Sequence, residues 1–156
     1  MSGYVMPNEK AVRQLLVPLY GDELRVEKAD VNGTSGDHVA TYIDDGDELV
    51  AVCSCDAGFV GFAGAALTMM PADVAQEMVS ATDFSDIVLG NFHEVMNICS
   101  RLLMNNESPH LRLDETLAPA AAEAALSRLG EAGGVAGFNV EIPGYGRGRF
   151  VFRVTA

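Results

Sequence analysis

The chain has 156 residues, 49% hydrophobic and 21% charged, the mix of a globular domain that buries a core rather than of a disordered segment. Ten basic against 22 acidic residues leave a formal charge of −12, which repels nucleic-acid phosphates and anionic lipid, so neither is an expected partner. No apolar run approaches the roughly 20 residues of a membrane helix, and the start lacks a basic stretch followed by an apolar one, so a cytoplasmic location is expected.

Residues 1–8 are expected to be flexible. A first helix follows over 9–20, with Val12, Leu15, Leu16 and Leu19 at three- and four-residue spacing and Gly21 as its stop. Pro18 points to a kink or an early end. Segment 30–38 is polar and turn-rich. Two strands, 38–43 and 48–55, flank the turn Asp44-Asp45-Gly46-Asp47. Cys53 and Cys55 share one side of the second strand and are expected to fill a sheet face. Three cysteines, with Cys99, are too few for a disulfide framework. The stretch 58–70 reads as a further strand whose glycines allow close backbone packing. Gly58, Gly61 and Gly64 lack the order of a phosphate-binding loop.

Pro71 then opens a helix over 72–81, and a long amphipathic helix is expected over 84–104 with Asp83 as its cap. A short strand, 109–114, leads to a second proline-led helix from Pro119 to Leu129, ended by Gly130. Strands 137–142 and 148–155 close the chain as a hairpin around Pro143–Gly146. The order suggests one domain over 1–156 made of two related halves, about 9–82 and 83–156. Short connections and antiparallel pairs make the fold class α+β, with amphipathic helices packed on an antiparallel sheet.

The three histidines, His38, His93 and His110, are scattered, and no nucleophile pairs with them by spacing. The run 44–48 lacks the calcium-loop pattern, and no His or Cys stands at zinc spacing, so no metal or other cofactor is expected in this chain. The helix 84–104 is more informative. Phe84, Val88, Phe92, Val95, Cys99 and Leu102 project to one face, with Met96 and Leu103 at its edge. Glu94, Asn97 and Arg101 project to the other.

The motif Glu94-Val95-Met96-Asn97 on an amphipathic helix, with Pro119 opening the next, resembles the CheC/CheX/FliY family of chemotaxis phosphatases, and single-motif CheX most closely. Met69-Met70-Pro71 leading into 72–81 and the closing hairpin match in kind. Gly90 stands where the family has Asp or Ser, and 21 residues separate Asn97 from Pro119, one fewer than the family spacing. Arg101 stands where CheX proteins usually have glycine, and would either obstruct docking or pair with an acidic partner surface. The resemblance implies a partner, the phosphorylated CheY-like receiver of a response regulator, which brings its own Mg²⁺. It also implies catalytic roles for Glu94 and Asn97, partner-binding positions at Gly90 and Arg101, and a homodimer. Asn97 would orient the attacking water, and Glu94 would pair with a receiver lysine. The alternative is a non-catalytic binding module of the same fold that docks a receiver or another signalling partner.

Overall fold

The structure, a computed structural model, describes residues 3–156. The elements are α1 (Glu9–Tyr20), β1 (Arg25–Lys28), β2 (His38–Ile43), β3 (Leu49–Cys55), a π-helical segment (Phe59–Ala63) running into α2 (Gly64–Leu67), α3 (Ala72–Ala81), α4 (Asp86–Cys99) with a 3-10 extension (Ser100–Leu103), β4 (Arg112–Leu117), α5 (Pro119–Leu129), β5 (Ala132–Ile142) and β6 (Gly146–Thr155). The six strands form one antiparallel sheet in the order β1-β5-β6-β3-β2-β4. The fold class is therefore α+β. Each edge strand follows a helix and pairs with a distant hairpin: β1 after α1 lies on β5, and β4 after α4 lies on β2.

Period-two alternation decides which side chains meet which helices. Ala40, Tyr42, Ala51, Cys53, Cys55, Phe138, Phe150, Phe152 and Val154 turn to one face, where Val12 and Leu16 of α1 and Val88, Phe92, Val95, Met96 and Cys99 of α4 complete the core. Phe59 stacks on Phe150 with ring centroids 4.5 Å apart. Each such large side chain removed from water stabilises the fold by about 1.5–3 kcal/mol. The other face has a smaller core, Val39 and Val52 beneath Ala122 and Leu129 of α5. Beside it, the polar segment before β2 is pegged onto β6. Arg149 donates to the carbonyls of Asp30, Asn32 and Gly33, and Arg153 donates to that of Val31.

The glycine-rich stretch is not a strand. Residues 59–67 are helical, and Gly58, Gly61 and Gly64 recur every third residue as the line along which this helix touches its neighbours. A Cβ at Gly58 would collide with the Arg147 carbonyl, one at Gly61 with Val79, and one at Gly64 would lie 2.7 Å from the Val88 carbonyl. The glycines do serve close packing, but at helical rather than strand spacing.

Other boundaries move for local reasons. Ser85, not Asp83, caps α4, its hydroxyl accepting from Val88 N. The α-helix ends at Cys99, and residues 100–103 tighten into a 3-10 turn. The strand expected over 109–114 lies at 112–117, because β2 dictates the pairing (Ile43 opposite Arg112, Val39 opposite Leu117) and a turn held by Asn105 precedes it. Helix α1 runs through Pro18 to Tyr20, since an exposed proline in the last turn forfeits little helical bonding. Strand β1 went unanticipated, as an edge strand whose one inward-leaning apolar residue is Val26. Of the segment 1–8 expected to be flexible, Met1 and Ser2 lie outside the described residues. The rest is fastened: Val5 N donates to the Leu103 carbonyl and Pro7 is buried.

Candidate functional site

Helix α4 presents its outer face as a ridge. At 100° per residue, Gly90, Glu94, Asn97 and Arg101 fall within a sector of roughly 60°, and all four are exposed. Phe92, Val95, Met96 and Cys99 on the inner face are fully or almost fully buried. The sequence-based division of this helix holds. Nothing lies within 4 Å of where a Gly90 side chain would start, so the ridge has a gap there. Glu94, Asn97 and Arg101 have no side-chain hydrogen bond or ion pair among the described residues. Their polar groups are free for a partner molecule.

The backbone beneath them is tightly held. Tyr42, fully buried in β2, donates its hydroxyl to the Met96 carbonyl at 2.8 Å. Ser100 Oγ donates to the Asn97 carbonyl at 2.7 Å. On one flank the Asn91 amide donates to Gly64 O and Thr68 Oγ1, both at 2.9 Å, joining α4 to α2. On the other flank His93 Nδ1 meets Thr116 Oγ1 of β4 at 3.1 Å. Burial keeps the Tyr42 hydroxyl protonated by pushing its pKa well up, so it remains a donor. The Glu94/Asn97 pair thus projects from a helix fixed at both flanks and from below. Sequence reasoning placed the pair on the outer face by helical projection and singled it out by the motif's resemblance, but missed Tyr42, Asn91 and Ser100, whose partners are set by tertiary contacts.

The remaining candidates are structural. Cys53 and Cys55 sit with their sulfurs 3.8 Å apart in the core, both free, and burial pushes both thiols up, away from the nucleophilic thiolate. His38 is buried edge-on to Phe84 and Phe92, and burial lowers its pKa. His110 pairs with Asp45, and Arg112 with Asp47, fastening the β2–β3 turn to the start of β4. No group of three or more His, Cys, Asp or Glu able to hold a metal ion is assembled among the described residues. No helix among them is long and apolar enough to cross a membrane.

No family model and no curated protein matches the sequence. Comparison of structures finds similar chains. The chain is similar to one in the CheX–CheY–beryllofluoride–magnesium complex from Borrelia burgdorferi, with a TM-score of 0.44 and 12% identity over 92% of each chain. It is also similar to Thermotoga maritima FliY, with a TM-score of 0.43 and 14% identity over 92% of this chain and 82% of that one. The middle domain of FliM from Vibrio alginolyticus gives 0.41 and 12% over 94% and 88%. These are likenesses of overall fold.

Proposed function

We propose that this chain is a CheX-like phosphatase that removes the phosphoryl group from the aspartyl-phosphate of a CheY-like receiver. The observation that carries the reading is the Glu94/Asn97 pair, one turn apart, exposed and unpartnered on a helix whose backbone is pinned from below. In the reaction a water oxygen bonds to phosphorus while the bond from phosphorus to the aspartyl oxygen breaks, leaving a carboxylate and inorganic phosphate. The receiver supplies the Mg²⁺ and the acyl phosphate. This chain has only to place the water in line, and a carboxamide that donates and accepts hydrogen bonds is suited to that. Asn97 takes that part. Glu94, on the same ridge, pairs with a receiver lysine and sets the register between the proteins. Neither task needs a group with a shifted pKa, so the reading calls for no catalytic His or Cys. The test is release of phosphate from a panel of Mg²⁺-loaded, phosphorylated receivers from the same source. Acceleration of at least one is expected; failure with all of them overturns the reading.

Arg101 favours a second reading. It stands exposed one turn beyond Asn97 with no acidic partner among the described residues, where a cation suits an acidic protein surface. On this reading the ridge docks a receiver without hydrolysis. Arg101→Gly separates the two, raising phosphatase activity if the side chain obstructs approach and lowering receiver affinity if it pairs.

A further inference from the structure

The ridge on α4 continues beyond Gly90. One turn nearer the helix start, Ile87 falls beside the same sector and is 65% exposed. Met69, at the end of α2, is 86% exposed. These are the two most exposed large hydrophobic side chains among the described residues. Asn91, one turn from Ile87, bonds Gly64 O and Thr68 Oγ1, so the segment ending in Met69 is tied to the flank of α4 on which Ile87 lies.

The backbone at Met69 adds an independent observation. Its φ is 55°, the left-handed region, where Met69 N bonds Ala66 O and Met70 N bonds Ala65 O to close the helix. Glycine or asparagine suits that position, and a methionine there is strained. The fold gains no packing from this side chain, because it points to solvent. An apolar side chain offered to water where glycine or asparagine would serve is explained by a partner that covers it. Methionine also adapts its shape to an apolar surface.

We propose that Ile87 and Met69 form the apolar anchor on which the phosphorylated receiver docks, a proposal that rests on the phosphatase reading above. The continuity of the ridge identifies the occupant: a body that brings its phosphoryl group to Asn97 also covers the helix toward Ile87, and the gap at Gly90 lets it approach closely. Charge points the same way. With Arg101 as its one cation, the ridge offers a partner little beyond a single cationic contact and this apolar pair. Asn97 lies ten helical steps beyond Ile87, so the receiver carries its matching apolar patch about 15 Å from the aspartyl-phosphate.

The experiment is steady-state dephosphorylation of the Mg²⁺-loaded receiver that the wild-type protein serves best, with thermal unfolding measured on the same samples. Ile87→Ser is expected to raise KM by about tenfold with kcat within about twofold of wild type, as for an interface anchor. Met69→Gly is expected to raise KM several-fold while Tm stays level or rises by about 2 °C, because glycine relieves the left-handed strain. A merely structural role would lower Tm along with function, and that outcome overturns the proposal. Unchanged KM in both variants, beside an Asn97→Ala protein that loses its rate, also overturns the anchor but leaves the phosphatase standing. No acceleration by the wild type on any receiver overturns the phosphatase reading, and the anchor falls with it.

Discussion

The hydroxyl of Tyr42 and the carboxyl of Asp37 show how single residues hold the backbone of α4 and set the response of the fold to pH. Tyr42 reaches from β2 to the Met96 carbonyl directly beneath the Glu94/Asn97 pair. Tyr42→Phe removes that buried hydrogen bond, and equilibrium denaturation should show a loss of about 1–2 kcal/mol. Asp37 lies against β6 with Arg149 3.9 Å from Oδ2, an atom that is buried without a hydrogen bond. Burial pushes its carboxyl up to about 6, opposed by Arg149 and Arg153 and reinforced by Asp56. A carboxylate raised in the folded state stabilises the fold below its unfolded pKa, near 3.8, and that stabilisation is lost as pH rises through about 6. Asp37→Asn should therefore stabilise the protein relative to wild type at pH 7, by on the order of 1 kcal/mol once solvent screening is allowed for. The advantage should vanish by about pH 4. Buried His38 responds in the opposite sense, so the comparison is between variant and wild type at each pH. The outward placement of Glu94 and Asn97 was legible in the sequence because helical projection gives it, while their choice as a candidate site rested on the motif's resemblance. Tyr42 was not legible, because its partner is 54 residues away.

At the scale of elements, the glycine stripe and α4 carry the lesson. Gly58, Gly61 and Gly64 read as strand because a glycine-rich apolar run has no side-chain period of its own to reveal a helix. What the spacing records is contact: with Arg147, with Val79 and with α4 at Val88. Gly64→Ala places a methyl 2.7 Å from the Val88 carbonyl. It should destabilise the protein by about 1–3 kcal/mol despite alanine's better helix propensity, measured as a lowered denaturation midpoint. Helix α4 was legible because its apolar positions recur at helical spacing, and α5 because Pro119 opens it and Gly130 closes it. β1 was not, since an edge strand of four residues buries too little to leave an alternation.

Across the whole molecule, one sheet separates the two faces, and α4 lies on the larger core with its outer ridge directed to solvent. The sequence announced the α+β class through its short connections and paired alternating strands. It did not announce that β1 joins β5 and β4 joins β2, because strand neighbours so far apart in sequence are chosen by the packing of both helices at once. This architecture makes α4 a rigid platform, and the account stands on what Asn97 does there. The direct test is the single-turnover rate of dephosphorylation of an Mg²⁺-loaded receiver by Asn97→Ala and by wild type, with far-ultraviolet circular dichroism confirming that both are folded. The account predicts that the variant keeps its fold and loses acceleration by on the order of 100-fold or more. A folded Asn97→Ala protein that matches the wild-type rate would contradict it.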